Sequence, residues 1–374
     1  MRFNLIGSSL VSASFLMVAA CGSTVVQNNN NDGGNGGEAA QGGTGGTGGT
    51  GGIAGMGGTG GQGGQGGILP PCADGPDVVL AMDKMLIGDT NPDGTPNVVN
   101  GWKQYGFNID GRISTKSSVD LCQPVLGASK TQVYPDGNDG IDNSFGKNVL
   151  PIFLGLSADL SVQLNQAITN GDLTYLFSIA HPQSDTDCST SSKLFLGGSL
   201  GFPPKFDGSD VWPIDASSLL NQADPTSAKC AFSTTNITKG EIFALPPSEM
   251  NLVLGFSNLP LTLPIKQARL AFTLSPDQKT ATGGRLGGVI ETSAMVAAIS
   301  KLAAQFDTSF CDPNSPTLQS ILAQIAQASD ILADGTQDPS KSCNAISIGI
   351  GFTMRAAQLG AVVPPPPPPP NPCL

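Results

Sequence analysis

Short runs of apolar residues, many of them alternating with polar ones, recur through the middle and the end of this chain. Gly, Pro, Asn and Asp separate the runs, and this punctuation is typical of β-strands joined by turns. The runs cover residues 78–87, 173–180, 193–200, 241–244, 251–256, 261–265, 269–274, 280–290 and 345–354. Their spacing predicts an antiparallel sandwich or barrel, and we expect a mainly β, antiparallel β-sandwich-like fold. An α+β architecture is the alternative.

Three segments carry apolar residues at helical spacing instead, near residues 157–170, 293–306 and 316–332. In the first of them, Leu160, Leu164 and Ile168 fall on one face of a helix, and Gly171 ends the pattern. We therefore expect a few α-helices that pack against the sheet.

The two ends of the chain contain too few apolar residues to form a hydrophobic core. Residues 21–68 contain Asn and then Gly-Gly-Thr repeats, which lose much backbone entropy on ordering and bury no apolar surface. The period of three also suggests collagen, but collagen needs abundant proline and these repeats have none, so the sequence favours the stalk. We expect a disordered Gly-rich stalk, a single globular domain over residues 69–363, and a Pro-rich tail over 364–374. The tail holds seven consecutive prolines and is either a spacer or a docking segment.

The N-terminus has the features of an export signal. Arg2 precedes an apolar run over residues 5–20, which is shorter than the about 20 apolar residues needed to span a membrane and suits a signal peptide over residues 1–20. The run ends in Val-Ala-Ala-Cys, with the cysteine at Cys21, and resembles the lipobox of bacterial lipoproteins. The alternative is an ordinary signal peptide that is cut nearby, with Cys21 an incidental thiol.

The lipobox resemblance implies cleavage before Cys21 and acyl chains, such as palmitate, on the new N-terminus. It therefore implies attachment to the lipid bilayer in the cell envelope. Because Gly22 and not aspartate follows the cysteine, the sorting habit of the family implies the outer membrane.

The charge balance limits the partners. The chain has a net charge of −11 and only 13% charged residues, so it lacks the basic surface that a nucleic-acid backbone requires. The lipid anchor, rather than a basic patch, must then supply membrane attachment.

Cysteine usage fits an exported protein with disulfides. Seven cysteines remain beside Cys21, which leaves at least one outside an intramolecular pair. We expect two sequence-local disulfides, Cys311–Cys343 and Cys188–Cys230, and a pair between Cys122 and either Cys72 or Cys373. A zinc site is not expected because no Cys-x-x-Cys occurs and His181 is the only histidine.

Two acidic loops are candidate calcium sites. The first reads Asp-Thr-Asn-Pro-Asp-Gly and matches the first half of a calcium-loop pattern, with Asn100 where an EF-hand has glutamate. Its candidate ligands are Asp89, Asn91, Asp93 and Thr95. The second loop offers Asp136, Asn138, Asp139 and Asp142. Carboxylates placed this closely repel one another unless a cation is present. The alternative for both loops is a plain turn rich in Asn, Asp and Gly.

Trp102 and Tyr105 follow the first acidic loop and are candidates for a ligand platform beside the metal, or for sheet core. A serine triad needs a base and His181 is the only histidine, and no Walker phosphate loop occurs, so the sequence favours a non-enzyme. We expect a surface-facing or periplasm-facing binding, adhesion or structural module whose loops calcium orders and whose partner is a glycan or an envelope component. A lipid-tethered polysaccharide hydrolase is the alternative.

Overall fold

The computed structural model describes residues 69–183, 186–245, 249–256, 259–367 and 370–373. The signal peptide, Cys21 and the Gly-rich stalk, all predicted within residues 1–68, lie outside these ranges. Within them, no helix is both long enough and apolar enough to cross a membrane.

Strands make up most of the regular structure. They are β1 (Val78–Leu86), β2 (Tyr175–Ile179), β3 (Cys188–Leu196), β4 (Val211–Asp215), β5 (Cys230–Thr238), β6 (Glu241–Leu245), β7 (Glu249–Phe256), β8 (Leu259–Leu274), β9 (Thr280–Glu291), β10 (Ala345–Ala356) and β11 (Gln358–Val363). The helices are α1 (Lys130–Val133), α2 (Leu150–Leu156), α3 (Leu160–Asn170), α4 (Thr292–Phe306) and α5 (Pro316–Ala326). The fold is therefore mainly β with few helices.

The main sheet closes into an antiparallel barrel, so the expected sandwich is wrong. Eight strands follow one another around it in the order β1, β2, β3, β5, β6, β8, β9 and β10. The ring is closed because β10 pairs with β1, as at Ala356 and Leu80, and because β6 pairs with β8, as at Glu241 and Thr273. A period-two pattern gives the two faces of each strand but does not reveal whether the first and last strands meet.

Side chains fill the interior of the barrel. The rings of Phe177, Phe232, Phe272 and Phe352 meet there, with centroid distances of 5.5 Å from Phe177 to both Phe232 and Phe272 and 6.2 Å from Phe272 to Phe352. All four rings are buried, and branched aliphatic residues of β10 such as Ile348 complete the layer. The interior is thus a packed core, as expected for a small barrel.

The two ends of the barrel differ in their connections. At one end, which we call the stalk end, the chain enters β1, short turns join β5 to β6 and β8 to β9, and residues 180–187 join β2 to β3. At the opposite, far end, the connections are long and contain the helices and the strands β4 and β7. The far-end connections are residues 87–174, 197–229, 246–258 and 292–344.

A hairpin and three helices cover the far end. β7 pairs with the first half of β8 beyond the point where β6 ends, and β8 bends between these halves at Gln267, which has a φ of 52°. Helix α3 packs against β1 and β7, and α4 packs against β8 and α5. Their apolar residues, among them Leu164, Leu252 and Ile299, join the same core as the barrel interior.

Two other segments pack against the outside of the barrel. β4 and β11 form a small parallel sheet whose Trp212 and Ile214 are fully buried over Leu176 and Phe195. Residues 88–149 cover β9, β10 and the end of β1. Close approach there requires glycine, since a side chain at Gly349 of β10 would overlap the backbone of the covering segment.

The disulfides are Cys72–Cys188, Cys122–Cys343 and Cys311–Cys373, so disulfides are present but every predicted pairing is wrong. Cys188 pairs in register with Ile237, and Cys230 pairs with Leu194, which places these cysteines about 20 Å apart along adjacent strands. Disulfide formation needs Cα atoms within about 7 Å. Cys230 is buried and belongs to none of the three bonds.

Cys343 bonds Cys122 because their backbones are neighbours. Gln123 and Ser342 form a parallel bridge, and the Cys343 N–H donates to the Gln123 carbonyl oxygen at 2.9 Å. The prediction of Cys311–Cys343 relied on their short separation in sequence. The backbone pairing of two distant segments instead places Cys343 beside Cys122.

Candidate functional site

The first acidic loop, residues 89–97, satisfies most of its polar groups internally. Asn91 Oδ1 accepts hydrogen bonds from the side-chain amides of Asn97 and Gln104 at 2.7 and 3.0 Å. Asp93 Oδ1 accepts from the backbone and hydroxyl of Thr95 at 2.8 and 2.7 Å, and these bonds hold the pKa of Asp93 below its usual value. Three of the four predicted ligands of this loop therefore already bond with one another or with neighbouring side chains.

The buried base of this loop is different. Asp89 is only 8% exposed, and its Oδ1 finds no hydrogen-bond partner among the described residues. The hydroxyl of the adjacent Thr90 is likewise buried without a partner in the described part of the chain. Buried acceptors of this kind cost free energy unless a donor or a cation reaches them. The oxygens of Asp89 and Thr90, rather than those of Asn91 and Asp93, are the ones that suit a cation here.

The second acidic loop separates its predicted ligands. Asn138 and Asp139 are exposed, and Asp139 has a φ of 53° within a short helical turn. Asp142 is 3% exposed, and its Oδ2 accepts from the backbone N–H groups of Ile109 and Asp110 at 2.6 and 3.3 Å. Asp136 accepts from the backbone N–H of Ser114. Asp136 and Asp142 thus tie the loop to residues 109–114.

Both acidic loops contact the same helical turn, Gly101–Gln104. Gly101 packs against the Thr90 carbonyl oxygen, and Gly137 packs against the backbone of Lys103. However, in the described ranges no group of three or more His, Cys, Asp or Glu side chains is placed to hold a metal ion. Calcium binding at Asp89, Asn91, Asp93, Thr95, Asp136, Asn138, Asp139 and Asp142 stays a prediction.

Asp136 and Asp142 belong to a larger carboxylate cluster. It also contains Asp110 and Asp330, which the sequence did not single out. Gln337 links these two by donating to Asp110 Oδ2 at 2.9 Å and to the Asp330 carbonyl oxygen at 3.1 Å. A link between residues so far apart in sequence follows from the fold, and no local pattern could have shown it.

Burial changes the proton affinity of the cluster. Desolvation raises the pKa of Asp136 to about 8 and that of Asp330 to about 7, and the neighbouring Asp110 charge adds to both effects. The pKa of Asp142 is raised well above its usual value, first by burial and then by Asp110. Burial also lowers the pKa of Lys147 to about 8. Several of these groups therefore change charge between pH 7 and 8.

The cluster predicts that stability falls as pH rises from about 4 to about 8. An unfolded aspartate has a pKa of about 3.9, so between this value and the raised pKa values of Asp136 and Asp330 the folded state binds more protons. The free energy of unfolding then decreases with pH over this range. Above pH 8 the sign reverses, since the lowered pKa of Lys147 makes the unfolded state bind more protons.

Urea unfolding measured at several pH values between 4 and 10 checks this expectation. Asp330→Asn keeps an oxygen for the Ser347 N–H and should flatten the dependence between pH 4 and 8, whereas Asp74→Asn, at an exposed position, should leave it unchanged. A stability that rises steadily from pH 4 to 8 would contradict the assignment.

The predicted ligand platform is largely covered by protein. Trp102 is 6% exposed, and the Lys103 and Lys147 amines lie over its ring at 5.7 and 5.3 Å. Tyr105 is 4% exposed and donates through its hydroxyl to the Thr90 carbonyl oxygen at 2.7 Å, and burial raises its pKa to about 12. This packing agrees with the alternative that these aromatics are core, here between the covering segment and the barrel.

Asn143, next to the second loop, fastens the covering segment to the barrel. Its Nδ2 donates to the carbonyl oxygens of Trp102, Tyr105 and Gly349, and its Oδ1 accepts from the Gly146 and Gly349 N–H groups at 2.9 and 3.0 Å. Asn143 is 2% exposed. Its place in a run of Asp, Asn and Gly resembles that of a turn or metal ligand, and only the fold shows its bonding role.

Comparison with protein-family models, with curated proteins and with solved structures gives no match for this chain.

Proposed function

We propose that this protein is a lipid-anchored envelope module whose barrel presents a recognition surface at its far end. The observation that carries the proposal is the asymmetry of the barrel, since the long connections all lie at the end opposite the entry of the chain from the stalk. In proteins with a rigid strand scaffold, long connections carry binding and specificity. An anchor at the stalk end would direct this surface away from the membrane.

The junction between stalk and barrel supports a fixed orientation. Cys72 is bonded to Cys188 at the start of β3, and the Cys72 N–H donates to the Ser189 carbonyl oxygen at 3.0 Å. Gln183 donates to the Ala73 carbonyl oxygen at 3.3 Å, and His181 contacts Gly75 and Asp77. The flexible stalk would therefore end at residue 70, and the barrel would turn as one body on it.

The disulfides support an exported location. Such bonds persist in oxidising compartments and are rare in the cytosol. They agree with the signal peptide and with the lipobox at Cys21, and the acylated cysteine would hold the protein to the outer membrane. Mass spectrometry of the mature N-terminus tests the anchor, and an unmodified start at another residue would refute it.

Calcium remains part of the proposal for the far end. The oxygens of Asp89 and Thr90 that have no hydrogen-bond partner among the described residues fit a hard cation. The hydrogen bonds of Asn91 and Asp93 within the loop make the rest of the loop stable without a cation. Bound calcium would order the first loop. It would also neutralise ionised Asp136 and Asp142 if the second loop takes part.

A binding screen of the mature chain against glycans and envelope components, with calcium and with chelator, tests the recognition surface. Val98→Glu with Val99→Glu alters exposed apolar residues in the first far-end connection, and Thr238→Glu alters an exposed residue at the stalk end. We expect only the far-end variant to lose binding. Equal loss in both variants, or no binding by the native chain, would overturn the proposal.

A second candidate is a lipid-tethered polysaccharide hydrolase. Asp136 and Asp330 favour it, because carboxyl groups with a pKa of about 8 and about 7 remain protonated near neutral pH, as a general acid must. Against it, both side chains accept hydrogen bonds from protein groups, Ser114 and Ser347. Release of sugar by the native chain, lost in Asp136→Asn without loss of binding, would favour the hydrolase.

A further inference from the structure

The C-terminal segment is held at both of its ends. We call residues 364–373 the strap. Just before it, Val363 of β11 pairs with Asp215 of β4. At its far side Cys373 is bonded to Cys311, and the side chain of Gln305 donates to the Pro370 carbonyl oxygen at 2.8 Å. The strap is therefore a closed connection rather than a loose tail.

Both anchors of the strap lie at the far end of the barrel. β11 begins at the stalk end, where the Ala357 N–H donates to the Val79 carbonyl oxygen at 3.0 Å. It ends where Val363 packs against Gly198, just beyond the last residue of β3. Cys311 follows α4 in the connection between β9 and β10.

The strap has the exposed prolines and free carbonyl oxygens that proline-binding domains recognise. Pro364 to Pro367 are all exposed. Proline fixes φ near −65° and has no N–H, so a run of prolines favours the polyproline II conformation and leaves carbonyl oxygens free to accept. Pro364 and Pro367 have the spacing of the Pro-x-x-Pro pattern that aromatic-lined grooves accommodate. Fixing both ends removes conformational freedom that a loose peptide would lose on binding.

We propose that the strap is a preorganised ligand for a partner protein with an aromatic-lined groove. The partner would place its rings against the faces of Pro364 and Pro367 and donate hydrogen bonds to the carbonyl oxygens between them. The proposal rests on the proposed function in one respect, since it assigns a partner class to the far end. Binding in solution depends neither on the lipid anchor nor on glycan recognition, so the two can fail separately.

Titration of the mature chain with a purified WW domain and a purified SH3 domain tests the proposal, with a linear peptide of residues 363–374 as reference. We expect at least one domain to bind the native chain about three- to tenfold more tightly than the peptide, because both ends of the strap are fixed. Pro364→Ser with Pro367→Ser should weaken binding more than tenfold. Pro203→Ser with Pro225→Ser, at exposed prolines outside the strap, should leave it unchanged.

A variant with Cys311→Ser and Cys373→Ser releases one end of the strap. We expect its affinity to fall to that of the peptide. Three results would overturn the proposal. They are absence of binding by both domains, binding that the strap prolines do not affect, and binding that becomes tighter when the disulfide is removed. The last would mean that the disulfide withholds the strap from partners.

Discussion

Replacing Asn143 with aspartate is expected to lower the free energy of unfolding by about 4 kcal/mol. The substitution keeps the shape of the side chain but replaces its Nδ2 donor with an oxygen. That oxygen would face the carbonyl oxygens of Trp102, Tyr105 and Gly349, which Asn143 now satisfies. At 2% exposure, neither water nor a side-chain movement can relieve this repulsion at low cost.

Chemical unfolding of the variant at neutral pH measures this loss. Asn148→Asp is the matched control, because Asn148 lies a little over one helical turn later and is half-buried. Among the described residues its side chain donates only to the Ser144 hydroxyl, at 2.8 Å. We expect the control to lose less than about 1 kcal/mol. Hydrogen exchange should show that the backbone around Trp102 opens first in Asn143→Asp. A loss in this variant no larger than in the control would refute the role of Asn143.

Removal of the Cys122–Cys343 disulfide should be nearly as costly. The bond joins residues 221 apart in sequence, and restriction of so long a loop in the unfolded chain contributes about 4–5 kcal/mol. Cys122 is fully buried and Cys343 is 2% exposed, so water cannot readily fill the space that the removed sulfur atoms would leave in the folded state. Cys122→Ala with Cys343→Ala is the variant to measure.

Cys230→Ala provides the control for this variant, since it removes a buried sulfur from the core without breaking any of the three disulfides. We expect it to lower stability by about 1 kcal/mol. The two denaturation midpoints should therefore be clearly separated under non-reducing conditions. If the double variant unfolds together with the Cys230 variant, the disulfide adds little to the folded state.

Most strands of the barrel were predictable because each has its own local pattern, whereas β5 is not among the predicted runs. The runs at 78–87, 280–290 and 345–354 correspond to β1, β9 and β10, and the helix near 157–170 corresponds to α3, which begins at Leu160. Two predicted runs, 261–265 and 269–274, are the halves of the single strand β8, which a bend at Gln267 divides. Local alternation cannot distinguish a bend within a strand from a turn between two strands.

The closure of the barrel and the disulfide pairs were not predictable in the same way. Closure depends on β1 meeting β10, and Cys122 meets Cys343 because Gln123 pairs with Ser342. Both are contacts between distant segments that leave no trace in local periodicity. β4 and β11 were missed for a related reason, since each is short and pairs only with segments distant in sequence, β4 with β11 and with Gly197.

The acidic loops show where composition misleads. The sequence grouped Asp136, Asn138, Asp139 and Asp142 as one ligand set, but the fold exposes Asn138 and Asp139 and buries Asp142. Asp330 enters the same cluster from the connection between β9 and β10, and its neighbours in sequence gave no indication of this. A carboxylate that bonds backbone N–H groups and one that binds a cation look the same in sequence.

The three disulfides overlap along the chain, and this overlap determines how the molecule would respond to tension. A force applied between Cys72 and Cys373 follows the three disulfides and two stretches of chain. It crosses from Cys72 to Cys188, runs along the chain to Cys122, crosses to Cys343, runs along the chain to Cys311 and crosses to Cys373. This covalent route contains about one third of the residues that separate the two ends, and its full extension is about 340 Å rather than about 1,050 Å. If the stalk is held and a partner pulls on the strap, the domain would therefore extend to only about one third of its full chain length before the disulfides stop further extension.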